Sequence, residues 1–180
     1  HPHLPRRLMV YEPADYRYFL HRQFQDLRQS LWDVCRSKIW LNDPISAIRA
    51  ESKIFQLHVA TLVGLKVPET IITSDPDTVR QFYAEHPEGI IVKLLASSPI
   101  VDRVIYTNRV TPVHLTQIDS VRRSPSIFQS LVAKAYELRI TVVGEKIFST
   151  KINSQVDVAT SLDWRHKPLE NDYSVNMEPT

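Results

Sequence analysis

The sequence predicts an α+β protein of two lobes with a mostly antiparallel sheet. Three observations carry that expectation: apolar stripes at helical spacing dominate the first third, a helix-strand-helix-strand unit follows, and the last third alternates like sheet and contains a glycine-first turn between two strands. With 180 residues, 43% hydrophobic and 23% charged, the chain is long enough for one well-packed domain or two small lobes.

The first helix is expected from Tyr16 to Cys35, where Leu20, Phe24, Leu27, Leu31 and Val34 recur every three or four residues opposite a polar face. Asp43-Pro44 is a cap followed by a proline that loses no hydrogen bond in a first turn, so a second helix should run from Pro44 to Val63 and stop at Gly64. Val67 to Thr73 reads as a strand entered through Pro68. Asp75-Pro76 repeats the starting device for a helix to about His86, and Pro87-Glu88-Gly89 turns the chain into a buried strand, Ile90 to Leu95. Val101 to Val110 is a further strand, and Thr111-Pro112 starts a short helix reaching Ile118. Strands at Ile127–Val132, Glu137–Val143 and Ile147–Asn153 complete the pattern, the last two joined at Gly144-Glu145. Beyond Gln155 the periodicity weakens and only Asp163-Trp164-Arg165 stands out.

Composition excludes several classes. Gly64, Gly89 and Gly144 are the only glycines, so neither a Rossmann fingerprint nor a Walker loop can form, since both need clustered glycines to bring backbone N–H groups against phosphate. If a nucleotide binds, side chains must hold it. Cys35 is the single cysteine, which allows no internal disulfide and points to a reducing, cytoplasmic compartment. Seven scattered histidines show no metal-ligand spacing. A net charge of +2 with dispersed basic residues argues against nucleic acid, and no apolar run is long enough for a membrane segment. The Leu20 to Val34 stripe could pair with its twin in a homodimer.

Lys93 interrupts the run Ile-Ile-Val-Lys-Leu-Leu, so its ammonium must face a cleft, find a partner, become neutral or snorkel to water. Lys53, expected in mid-helix, would by itself be a solvated face residue. Arg139 shares a strand face with Glu137, and that arginine could fork onto a phosphate or simply pair with a carboxylate. Lys151, Asn153 and Arg165 add polar groups to the same region. Ser97-Ser98 and Cys35 lack the partners that activate a nucleophile.

Eight segments then fall in one order: Trp40 to Pro44, Ala50 to Lys53, Val67 to Thr73, Ile91 to Lys93, Arg103 to Thr107, Phe128-Gln129, Tyr136 to Gly144, and Asp163 to Arg165. The series resembles the ATP-grasp ligases, and within them the microviridin-type maturases of ribosomally made peptides, relatives of the glutamate ligase RimK. The resemblance implies an enzyme that phosphorylates a carboxylate with ATP and lets a hydroxyl or amine attack the acyl phosphate, crosslinking side chains of a precursor peptide. It implies residues 1–39 as a helical segment leading from a pre-grasp domain not contained in this stretch, 40–126 as the first grasp lobe, and 127–180 as an incomplete second lobe.

By the same resemblance Lys53 and Lys93 bind phosphate, and Gln129, Ser130, Leu131 and Val132 form the linker beside the adenine. Ser130 stands where an acidic residue is usual, which shifts the adenine contact toward main-chain groups of Ser130 and Val132. Glu137 takes the ribose side, Arg139 and Arg165 lie near the transferring phosphate and acyl group, and Lys151 and Asn153 are candidate neighbours. The loop after Lys93 carries Ser97-Ser98 in place of the family's glycines, and the Mg²⁺ ligands are expected outside this segment. Two other readings stay open: a ligase that adds amino acids to a peptide end, and a degenerate grasp module that binds nucleotide or peptide without chemistry.

Overall fold

Side-chain caps mark the starts of most helices among the described residues. The computed structural model describes residues 14–96, 105–166 and 173–176. They divide between two units, His1–Glu51 and Ser52–Thr180.

In the first unit, helix α1 spans Ala14–Val34, as the periodicity predicts. Helix α2 spans Pro44–Glu51, and Asp43 caps it by accepting the Ser46 N–H at 2.8 Å. The single helix expected from Pro44 to Val63 does not form. Ser52 is extended (φ −66°, ψ 112°), and its hydroxyl accepts the Phe55 N–H at the head of a new helix, α3, Lys53–Leu62. A serine offers the backbone this alternative to continued helix, which an apolar-periodicity argument does not register.

The second unit opens with α3, and its end is as expected. Gly64 is left-handed (φ 79°), and the Leu65 and Gly64 N–H groups donate to Ala60 and Thr61, a Schellman closure. Strand β1 is Thr70–Thr73, shorter than the predicted stretch because Pro68 has no N–H for a ladder. Helix α4, Pro76–Glu85, is capped by the Asp75 carboxylate on the Asp77 and Thr78 N–H groups. Strand β2 is Ile90–Lys93, and β3 is only Asn108–Arg109. Residues 101–104 of the expected strand, Ser97 and Ser98 of the expected phosphate loop, and His1 and His3 lie outside the described residues. Helix α5, Pro112–Thr116, stops before Ile118, and a 3-10 turn takes over from Ile118 to Arg123.

Strand β4, Ser126–Ser130, completes a first sheet of order β1-β4-β2-β3, in which every pairing is antiparallel. The register sorts its side chains. Ile71, Ile90, Val92 and Phe128 share one face and pack with Val79 and Phe82 of α4 and with Ile118 and Val121. Thr70, Ile91, Lys93, Ile127 and Gln129 share the other.

A second sheet holds β5, Glu137–Val143, and β6, Lys146–Ile152, joined by the predicted two-residue turn with Gly144 at φ 60°. Its third strand, β7, Tyr173–Asn176, pairs antiparallel with β6. Nothing in the polar composition of the tail announced that strand. Helix α6, Val158–Ser161, and a 3-10 turn at Trp164–His166 precede it. The α+β class with antiparallel sheets is as the sequence predicts.

Candidate functional site

Lys93 ends β2 on the sheet face opposite the one that packs with α4. Its cross-strand partner is Ile127, and Gln129 is the diagonal neighbour two residues along. That diagonal is within reach of long side chains, and the Lys93 ammonium donates to Gln129 Oε1 at 2.7 Å. Gln129 is 4% exposed and donates in turn from Nε2 to Thr70 Oγ1 at 2.9 Å.

The break at Ser52 makes Lys53 the first residue of α3, not a mid-helix one. A cation there adds to the positive end of the helix dipole. Its ammonium reaches the Leu94 carbonyl, directly after Lys93 in the chain. Two lysines from a helix and a strand are thereby brought together. Neither forms an ion pair among the described residues.

Arg165 adds a third cation. Asp163, 5% exposed, receives its fork through Nε at 2.8 Å and Nη2 at 2.6 Å, and also accepts the N–H groups of Arg165 and Thr107. Burial by itself would raise the Asp163 carboxyl pKa, but these four donors outweigh it and hold the group at about 2. The carboxylate in turn raises the Arg165 pKa. Lys134 is the fourth cation, bonded to Glu137 at 2.7 Å and to the Leu162 carbonyl at 2.9 Å.

The two unpaired lysines respond in the opposite sense. Burial lowers the Lys93 pKa, Lys53 lowers it further, Asp163 partly offsets this, and Arg165 and Lys134 add to the decrease. Lys53 is lowered by burial and by Arg165. Like charges have been gathered with fewer carboxylates than would neutralise them, an arrangement that favours a polyanion.

The remaining sequence candidates divide. Glu137 is engaged by Lys134. The Ser130 N–H already donates to Glu69 at 2.9 Å and that of Leu131 to Gly89 at 3.0 Å, so the linker amide left outside these bonds is that of Val132, which is exposed. Arg139 is exposed on β5 opposite Thr150. Lys151 projects from the other face of that hairpin and lies 4.7 Å from the Tyr136 ring centre. Asn153 precedes a 3-10 turn without capping it through its side chain. Sequence reading missed Thr70, Lys134 and the carboxylate role of Asp163, although the Asp-Trp-Arg string stood out. Among the described residues no group of three His, Cys, Asp or Glu side chains could hold a metal ion.

No family model matches the chain. Solved structures do. A RiPP-associated ATP-grasp ligase of Chryseobacterium gregarium, in complex with ADP and a leader and core peptide, superposes with a TM-score of 0.74 at 29% identity, over 88% of this chain and 48% of that one. The macrocyclase MdnC of Microcystis aeruginosa MRC, bound with precursor peptide MdnA, gives 0.74 at 30% identity, over 98% of this chain and 53% of its own.

The chain has the ATP-grasp fold.

A further ATP-grasp ligase, PsnB, complexed with minimal precursor, Mg and ADP, aligns at 27% identity with a TM-score of 0.51 over 62% of this chain and 36% of its own. Among curated proteins, a probable α-L-glutamate ligase of Histophilus somni strain 2336 is 23% identical over 112 residues, 61% of this chain and 38% of the relative. The resemblance to ATP-grasp ligases drawn from the ordered motifs is borne out. The chain spans about half the length of the first two solved relatives, 48% and 53%. No helix among the described residues is long and apolar enough to cross a membrane.

Proposed function

We propose that this chain is the nucleotide-holding part of an ATP-dependent carboxylate ligase that crosslinks side chains of a ribosomally made precursor peptide. One observation carries the reading: Lys53 and Lys93 converge from a helix and a strand and form no ion pair among the described residues. Peptide-bound relatives at 29% and 30% identity support the substrate class.

In this reading Lys53 and Lys93 bind oxygens of the triphosphate, and Arg165, steadied by Asp163, neutralises charge as the phosphoryl group moves to a peptide carboxylate. ADP leaves, a side-chain hydroxyl or amine attacks the acyl carbon, and inorganic phosphate departs as the ester or amide forms. Val132 offers the linker amide for the adenine, Glu137 lies on the ribose side, and Arg139 stands with Arg165 near the transferring phosphate and acyl group, with Lys151 and Asn153 as candidate neighbours. Residues 40–126 and 127–180 belong to the two grasp lobes. The reaction class uses Mg²⁺, which when bound would neutralise charge on the phosphate oxygens.

The test is mass spectrometry of the precursor after incubation with the full-length protein, ATP and Mg²⁺. Loss of one water per bond is the expected result, and no change in peptide mass with no ATP consumed would overturn it. The similarity to a probable α-L-glutamate ligase favours a second reading, addition of an amino acid to a peptide end, which would appear as a gain of one residue's mass. ATP binding without turnover would mark a non-catalytic module.

A further inference from the structure

The Lys93 ammonium begins a chain of hydrogen bonds with only one workable direction. An ammonium only donates, so the Gln129 amide must present its oxygen, which it does at 2.7 Å. The amide nitrogen then has to donate, and Thr70 Oγ1 accepts at 2.9 Å. The Thr70 hydroxyl passes its proton side to the Pro68 carbonyl at 2.8 Å, and a carbonyl only accepts. Both ends therefore fix the amide orientation, and Thr70, Gln129 and Lys93 occupy the same sheet face across three adjacent strands.

Nucleotide-linker residues are expected to touch the base, yet the Gln129 side chain is buried and its amide oxygen and nitrogen are both committed inside the protein. We infer that Gln129 is a positioning residue: it holds the Lys93 ammonium in place for phosphate, with Thr70 as its anchor, and does not contact the nucleotide base. The inference rests on the ATP reading above. A neutral amide suits the task. It takes one of three ammonium protons and leaves two for a ligand, whereas a carboxylate at that position would form a buried ion pair and cancel the charge the ligand needs.

The experiment compares binding of the ATP analogue AMPPNP and of adenosine to the full-length protein by calorimetry, for wild type, Lys93→Met, Gln129→Met, the double variant, Thr70→Val and Thr70→Ser. Gln129→Met should weaken AMPPNP about tenfold with adenosine unchanged, the scale of one hydrogen bond to a charged group. The double variant should lose no more than Lys93→Met alone. Thr70→Val should weaken AMPPNP less than Gln129→Met does, and Thr70→Ser should restore wild-type binding. Equal loss of AMPPNP and adenosine in a folded Gln129→Met would put the side chain on the base and overturn the inference, as would additive losses in the double variant. Should Gln129→Met fail to fold, the Thr70 pair decides alone: equal AMPPNP binding by Val and Ser variants overturns it. A wild type that binds neither probe overturns the ATP reading itself. Labelling of Lys93 by an amine-reactive reagent, read by mass spectrometry without nucleotide, then separates the two failures: a rate unchanged in Thr70→Val refutes the positioning as well.

Discussion

Lys93 and Arg165 belong to one cationic cluster and are held in opposite ways. On the sheet face, Lys93 is bonded to a neutral amide, and burial and neighbouring cations lower its pKa. On the loop before β7, Arg165 is forked onto a buried carboxylate that raises its pKa. The first site keeps its charge available at an energetic cost. The second is largely compensated within the protein, and its guanidinium is aimed by the pairing. Binding and catalysis need both kinds of cation, one that remains uncompensated for the ligand and one whose geometry is set beforehand.

The sharpest way to break this contrast is to remove the uncompensated charge. Lys93→Met should reduce AMPPNP affinity about tenfold to a hundredfold, measured by calorimetry, since hydrogen bonds to charged groups contribute about 1.5–3 kcal/mol. Unchanged affinity would mean that Lys93 is structural. Asp163→Asn tests the compensated partner. The folded carboxyl titrates at about 2 against an ordinary 3.8, so the stability it contributes is present above the ordinary value and is lost as pH falls through about 2. The variant should lose about 2 kcal/mol at neutral pH and show a flatter acid limb in urea unfolding.

Ser52→Ala addresses how Lys53 reaches the cluster. Loss of the cap should cost about 1 kcal/mol by chemical denaturation, together with some AMPPNP affinity, because Lys53 lies in the turn that the cap secures. A stability loss with full affinity would show that the Leu94 carbonyl fixes the lysine unaided. The smallest effect is alkaline. A lysine whose folded pKa is lowered binds fewer protons folded than unfolded, so stability should rise as pH climbs through the folded pKa toward the ordinary 10.5. That rise should shrink in Lys93→Met, measured by chemical denaturation across the alkaline range.

Much of the fold was legible because its signals are local. Asp75-Pro76 and Gly64 act on their own neighbours, and Gly144 with alternating residues on either side defines a hairpin register. The break at Ser52 was missed because an apolar stripe can continue across a serine that chooses to cap. Strand β7 was missed because its partner, β6, lies more than twenty residues earlier, and pairing leaves little trace in a polar segment. Of the site, Lys93 was legible as a charge inside an apolar run. Lys53 was legible only through family resemblance.

Local chemistry in the sequence set the cap-and-proline helix starts at Pro44, Pro76 and Pro112, the antiparallel character and the need for side chains rather than glycine loops to hold any phosphate. Tertiary structure decided which side chains meet. The register of β4 against β1 and β2 aligns Thr70, Gln129 and Lys93 on one face, and the loop before β7 brings Asp163 to the Thr107 amide. Those contacts join positions far apart in the chain, and hydrogen-bond direction and burial exist only once the partners are adjacent.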